Sequence, residues 1–400
     1  MRRFFLCFFM ILLLPSTVES ASNFKVSFIR DGDVWVYENG KETKLSSTNE
    51  ASEPIWSKYG AYIAYKNGES LMVASVKGKQ IEIEIEKDVQ SYQWSPTGME
   101  IAYISNDILT IYNVKQKKKS HVALGVDQFS WFPDGKQFLI TESATLSPRG
   151  WGAVKLYTVE KNANLDIKKV EPFATLPHPS DSFFAYTTSE FKWSENGHWI
   201  SFLAIPTASM SADGNTLCVI TSEGKAFQSI GTMLNVSNWF KWSPHQQELA
   251  FINGEGRIAT ENKTFTLKEM PVFKEHIFTP KGFADWDFTW AANKQIIISR
   301  VQEADWSNDA KKRPLPSLYT INLAKNQQEK LTNPLKGWGD YAPTYINQSK
   351  QTLWIRTNRK RANIMAGSTK QEKILIKDVD VPDNYYDLYR WNDVFTVYEP

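Results

Sequence analysis

The 400-residue sequence carries 14% aromatic residues, 15 of them tryptophan, and a formal net charge of only +2. So balanced a charge leaves no global footprint for nucleic-acid binding, and two cysteines in the whole chain exclude a disulfide-built scaffold. Many packed, strand-rich layers are the natural use for that many indoles.

The chain opens with Arg2 and Arg3, an apolar run from Phe4 to Leu14, then Pro15 and the small polar stretch Ser16 to Ala21. This is the charged, apolar and small-residue succession of a secretory signal. It predicts a signal peptide over residues 1–20, cleaved after Ser20, and a secreted or cell-envelope location. The run is shorter than the roughly 20 residues that span a bilayer, and no later stretch is longer. No transmembrane segment is expected after signal removal; the alternative is a signal retained as an anchor. Cys7 lacks the small residues that precede a lipid-bearing cysteine. Cys218, in the apolar stretch Leu217 to Ile220, reads as a buried, inert thiol.

From Lys25 onward the pattern is strand after strand. Lys25 to Arg30, Asp33 to Tyr37 and Glu42 to Ser46 are predicted as three strands of a blade that lacks its first. A phrase then recurs: an aromatic anchor, a four-residue polar turn, and an apolar triplet. It reads Trp56-Ser57-Lys58-Tyr59-Gly60 with Ile63-Ala64-Tyr65, then Trp94-Ser95-Pro96-Thr97-Gly98 with Ile101-Ala102-Tyr103. Trp131-Phe132-Pro133-Asp134-Gly135 with Phe138-Leu139-Ile140 follows, then Trp193-Ser194-Glu195-Asn196-Gly197 with Ile200-Ser201-Phe202, and Trp242-Ser243-Pro244-His245-Gln246 with Leu249-Ala250-Phe251. Trp290 with Ile296-Ile297-Ile298 and Tyr345 with Thr352-Leu353-Trp354 are degraded copies.

Proline or a small polar residue, then Asp, Asn or Thr, then Gly is hairpin-turn chemistry. Each unit continues into two further strands, and successive anchors lie 37 to 62 residues apart. Four strands per unit at that period predict an all-β fold, a β-propeller over residues 24–399. Leu388 to Trp391 reads as the anchor strand that completes the first blade, so the two ends of the chain close the ring. Seven or eight blades fit, and eight is preferred because Val394 to Tyr398 is then a surplus strand.

The rows resemble the TolB-like propeller repeat, whose consensus is close to W-S-P-D-G-x-x-I-A-Y. That resemblance covers nearly all of the chain after the signal. It implies either an exported scaffold that docks partners or a propeller of the kind that gates prolyl oligopeptidase-like enzymes. Strands starting near Phe24 leave no room for the N-terminal α/β domain of TolB itself.

Motifs for chemistry are sparse. The sequence has no G-x-S-x-G elbow, no H-E-x-x-H and no Cys/His zinc spacing, and its five histidines are scattered. No catalytic residue, metal or cofactor is expected. Propeller geometry directs attention to one face. If the W-S-P-x-G turns join first and second strands on one side, the second-to-third loops and the blade-to-blade linkers emerge on the other. Arg149, Trp151, Trp306 and the cluster Lys311, Lys312, Arg313 sit in such loops, as do Arg359, Lys360 and Arg361. Trp239, Asp285-Trp286-Asp287, Trp338, Asp340-Tyr341 and Tyr385-Tyr386 sit in the linkers. These residues are the candidate ligand-binding set, a funnel of stacking platforms and acids suited to a protein partner or an anionic or glycan envelope polymer. The plain alternative is that the rings plug the channel and brace the loops. The expected function is a non-enzymatic binding or scaffold propeller. The alternative is a polysaccharide-active hydrolase or lyase using Asp285, Asp287 and Asp340.

Overall fold

A computed structural model of the protein describes residues 24–77, 82–292, 294–368 and 371–400. The expected signal segment, residues 1–20, lies outside the described residues. No helix among the described residues is long and apolar enough to cross a membrane.

Each repeat folds as the turn chemistry requires. After Trp56 the Ser57 N–H donates to the Tyr62 carbonyl at 2.9 Å, the Gly60 N–H donates to the Ser57 carbonyl at 2.9 Å, and the Tyr62 N–H donates to Ser57 Oγ at 3.0 Å. The serine is buried because its hydroxyl is part of the turn, and so are Ser95, Ser194 and Ser243 in the equivalent places. Gly60, Gly135 and Gly197 take φ near +61° to +69°, a region that side chains resist.

The outcome is eight four-stranded antiparallel sheets arranged in a ring, a β-propeller with eight blades. The innermost strands of blades 1 to 3 are Ala51–Trp56, Val89–Trp94 and Gln128–Trp131. In blade 4 the inner strand is broken into Thr187–Thr188 and Lys192–Trp193. Blades 5 to 7 begin with Phe240–Trp242, Phe283–Ala291 and Gly339–Ile346. Blade 8 is closed by both ends of the chain, in the order Phe395–Tyr398, Lys25–Arg30, Asp33–Glu38, Lys41–Lys44. Sheets stacked on both faces explain the unbroken apolar triplets: Ile63, Ala64 and Tyr65 are all fully buried.

The closing strand differs from the expectation. Leu388–Tyr389 pairs with Asn384–Tyr385 in a short hairpin, and Trp391–Asp393 forms a 3-10 turn. The ring is completed by Phe395–Tyr398, the segment counted as surplus. The registers explain why. Ile63 lies opposite Trp56 and Ile101 opposite Trp94, and Val26 lies opposite Val397 in the same sense. Val397 therefore holds the anchor position of blade 8, in a run of strand-forming side chains that Asn392 and Asp393 interrupt.

No tryptophan anchor is exposed. Trp56, Trp94 and Trp131 are buried, and Trp193, Trp242 and Trp290 are half-buried. Their indoles do more than fill space. Each N–H reaches back to the carbonyl one residue before the preceding blade's anchor: Trp94 to Ile55 at 3.0 Å, Trp131 to Gln93 at 3.4 Å, Trp242 to Lys192 at 3.0 Å and Trp290 to Lys241 at 3.3 Å. Trp56 does the same across the closure, to Thr396 at 3.3 Å. The side chain just before the anchor reaches forward. Gln93 Nε2 donates to the Phe129 carbonyl at 3.2 Å, Lys192 Nζ to Phe240 at 3.4 Å, Lys241 Nζ to Phe288 at 2.5 Å and Thr396 Oγ1 to Pro54 at 2.9 Å. The inner strands are thus belted blade to blade.

Candidate functional site

The second-to-third loops and the linkers share one mouth, as the geometry requires. Residues 380–394, the linker from blade 7 to blade 8, cross that mouth as a strap. Asp387 pins it. This carboxylate is buried and is held by Arg313 Nη1 at 3.0 Å and Arg359 Nη2 at 3.1 Å, while Arg359 Nη2 also donates to the Arg313 carbonyl at 3.2 Å. The two basic clusters therefore meet, and one member of each is spent on the strap. Lys311, Lys312, Lys360 and Arg361 stay exposed on the rim.

Under the strap lie the aromatics predicted as platforms, and the structure corrects that role for three of them. Trp286 and Tyr341 pack ring to ring at 5.0 Å, and Tyr341 is covered by Tyr389 at 5.8 Å and Trp391 at 5.9 Å. Trp239 is buried with its indole N–H on Asp287 Oδ1 at 3.1 Å. These three rings plug the channel. Trp306 lies on the rim with its ring 4.4 Å from the Arg313 guanidinium and 4.8 Å from the Tyr386 ring. Trp151 braces a small hairpin of blade 3 against Phe184 and Tyr186, and Arg149 stands exposed at its turn. Trp338 is half-buried in the linker before blade 7.

Two of the predicted acids are likewise structural. Asp285 is fully buried in a forked pair with Arg300, at 2.5 and 2.7 Å. Asp340 is fully buried in the same pair with Arg356, at 2.7 and 2.9 Å. In both blades the partners are directly opposite in the hairpin register. Each carboxylate has both oxygens engaged by one guanidinium and lies out of solvent, so neither is free to face a ligand in the mouth.

The open space lies on either side of the strap. An outer cleft of about 660 Å³ is lined by Ser52, Asn235, Arg257, Asn384, Tyr385 and Arg390 among others. An inner cavity of about 390 Å³ runs into the channel past Glu53, Lys66, Gln90, Asn238, Asp287 and Asn392. Asn235, Arg390 and Asp393 line both. Four bulges point residues into the inner cavity: the ladders of blades 1, 2, 6 and 7 slip around Glu53, Gln90, Asp287 and Ala342. Glu53 and Ala342 adopt left-handed φ of 55° and 48°, and Tyr92 holds the bulge by donating to the Glu53 carbonyl. Bulges that re-aim side chains are frequent beside binding and active sites.

The cavity also shifts its acids. Burial, against the opposing pull of Lys241, raises the carboxyl of Asp287 above the ordinary range. Burial, with the like charge of Glu53, raises Asp393 to about 6. Burial lowers the neighbouring Lys241 ammonium to about 8.

Of the residues expected in the site, Asp287 and Tyr385 line these spaces. Glu53, Gln90, Asn235, Arg257, Arg390 and Asp393 were not anticipated. Gln90 and Glu53 stand a few residues before an anchor, where a polar residue in an inner strand was a readable signal; Arg390 was hidden in what looked like a strand, and Asp393 in the gap between two of them.

No family model matches the chain, and no curated protein matches it in sequence. Among solved structures, a mutant puromycin hydrolase aligns over 84% of this chain and 54% of its own, at 9% identity and a TM-score of 0.53. The chain spans about half the length of that hydrolase. An oligogalacturonate lyase in complex with manganese aligns over 86% of this chain and 95% of its own, at 9% identity and a TM-score of 0.50. A eukaryotic initiation factor aligns over 94% and 99%, at 11% identity and a TM-score of 0.52. At such identities the likeness is one of fold, and it agrees with the ring of blades.

Proposed function

We propose that this protein is a non-enzymatic binding propeller of the cell envelope or exterior that holds an acidic polymer or an acidic protein surface across the strapped mouth. The observation that carries the reading is the meeting of the two basic loops over Asp387, which leaves Lys311, Lys312, Lys360 and Arg361 exposed beside a cleft of about 660 Å³. A cluster of exposed cations where two loops meet on a nearly neutral chain favours an anionic partner. Reversing charge in Lys312→Glu with Arg361→Glu is expected to weaken binding of polyglutamate by more than about tenfold at low salt. The same reversal at Lys117 and Lys118, in a third-to-fourth strand turn on the other face, is expected to leave it unchanged. Equal effects from the two pairs would overturn the assignment of the mouth.

A second reading, a polysaccharide-active enzyme, draws support from Asp287 and Asp393, two carboxyls with raised pKa lining one cavity. The lyase likeness is consistent with it at the level of fold. Release of reducing ends or unsaturated products from a polysaccharide panel, abolished by Asp287→Asn and by Asp393→Asn, would establish it.

A further inference from the structure

Five carboxamides face the two cavities: Asn235 and Asn384 in the outer cleft, and Gln90, Asn238 and Asn392, again with Asn235, in the inner one. None of the five makes a side-chain hydrogen bond among the described residues. Elsewhere the chain uses asparagine for local structure: Asn113, Asn196, Asn322 and Asn358 each accept a backbone N–H a few residues on. The amides at the mouth are not used by the fold. Each offers an acceptor and two donors without formal charge, which is what the alternating donor and acceptor character of a ring hydroxyl requires.

A flat apolar surface stands beside them. Tyr385 is 50% exposed on the wall of the outer cleft. Its hydroxyl accepts from Arg257 Nη1 at 3.1 Å, and the Tyr386 ring meets it edge-on at 4.7 Å. Arg257 is itself forked onto Asp213, so the ring is held at one edge by a fixed group. A positioned ring with an open face suits the C–H face of a pyranose, an amphipathic contact of the kind tyrosine makes well. Arg390 and Asp393, which line both spaces, add one donor group and one acceptor group at the junction.

We propose that the two cavities are adjoining subsites for uncharged saccharide rings of a glycan chain laid across the mouth. The inference rests on the reading of the mouth as a binding face, and names the chemistry of what enters the clefts. The amides and the tyrosine seat the rings, while the rim cations act on any acidic groups the chain carries outside the clefts.

The test is calorimetric titration of the full chain with cellohexaose, maltohexaose and chitohexaose, with hexaglycine as the peptide control, at about 0.5 M salt to silence the rim. One or more of the saccharides is expected to bind with a Kd below about 1 mM, and Asn235→Ala with Asn384→Ala to weaken it by about tenfold or more. Tyr385→Ala is expected to do the same, whereas Tyr385→Phe, which keeps the ring, retains binding. Lys117→Glu with Lys118→Glu, on the other face, leaves it intact. No heat with any of the three sugars at about 10 mM, binding untouched by the amide and tyrosine variants, or hexaglycine binding in their place would overturn the inference. Polyglutamate binding at low salt would still stand in that event, so the failure of the subsites and the failure of the mouth as a binding face are separate results.

Discussion

At the scale of the residue, the anchors show why tryptophan and not merely a large ring recurs. The indole of Trp94 fills the space between blades and also satisfies the Ile55 carbonyl at 3.0 Å. Trp193 occupies the same place in blade 4, yet its Nε1 is buried without a partner among the described residues. Trp94→Phe therefore strands a carbonyl that Trp193→Phe does not. The first is expected to cost about 1–3 kcal/mol more than the second in urea unfolding, since an unpaired buried polar group loses its solvation. Equal costs would mean that the indole N–H contributes nothing. Asp393 provides a second residue-level outcome. Its folded-state value of about 6 lies above the ordinary 3.8, so between those two pH values the folded protein holds a proton that the unfolded chain has released. Its contribution to stability is accordingly lost as pH rises from 3.8 to about 6, and a penalty persists above that. Asp393→Asn should remove the penalty, gaining on the order of 1–3 kcal/mol over the parent at pH 7 and little at pH 4, as read by denaturation at a series of pH values.

At the scale of the element, the strap is held as much by charge as by packing. Asp387→Asn leaves Arg313 and Arg359 facing one another without their shared carboxylate. The expected cost is about 3–5 kcal/mol, as for other broken buried pairs. Amide hydrogen exchange should quicken first in residues 384–394, while the strands of blades 2 and 3 keep their protection. Uniform quickening would show that the strap and the ring open together. The strap was also the element least legible from the sequence. Leu388 to Trp391 has the alternation of a strand, and nothing local says which of two neighbouring segments pairs with Lys25–Arg30, some 370 residues away in the chain. By contrast the turns were legible, because Trp-Ser-Pro-x-Gly is chemistry confined to five residues. The ion pairs could have been read too. Arg300 and Arg356 each follow the apolar triplet of their blade, opposite Asp285 and Asp340 across the hairpin, and counting that register would have removed both acids from the candidate site.

At the scale of the whole molecule, repetition narrowed the ring to seven or eight blades, since seven rows agreeing on one phrase constrain it more than any one of them; the sheets make it eight. What repetition could not supply was the candidate site. It lies where the repeat is broken, at the bulges around Glu53, Gln90, Asp287 and Ala342 and in a linker that belongs to no row. Shortening the chain at Val394 removes the Phe395–Tyr398 strand, its ladder with Lys25–Phe28, and the Trp56 and Thr396 bonds across the closure. The truncated protein is expected to unfold at markedly lower temperature and to associate, as exposed strand edges do. A sharp, monomeric melt at the parent's temperature would show that the closure is dispensable.

That closure also sets an order of events during biosynthesis. The strand at Lys25–Arg30 is made some 370 residues before its partner Phe395–Tyr398, so blade 8 stays incomplete until the seven blades between them have been made. Pairings so distant in sequence make loop closure slow and leave partly assembled rings prone to association. A chaperone that shelters the early strands would therefore have the most to do before Phe395–Tyr398 is in place.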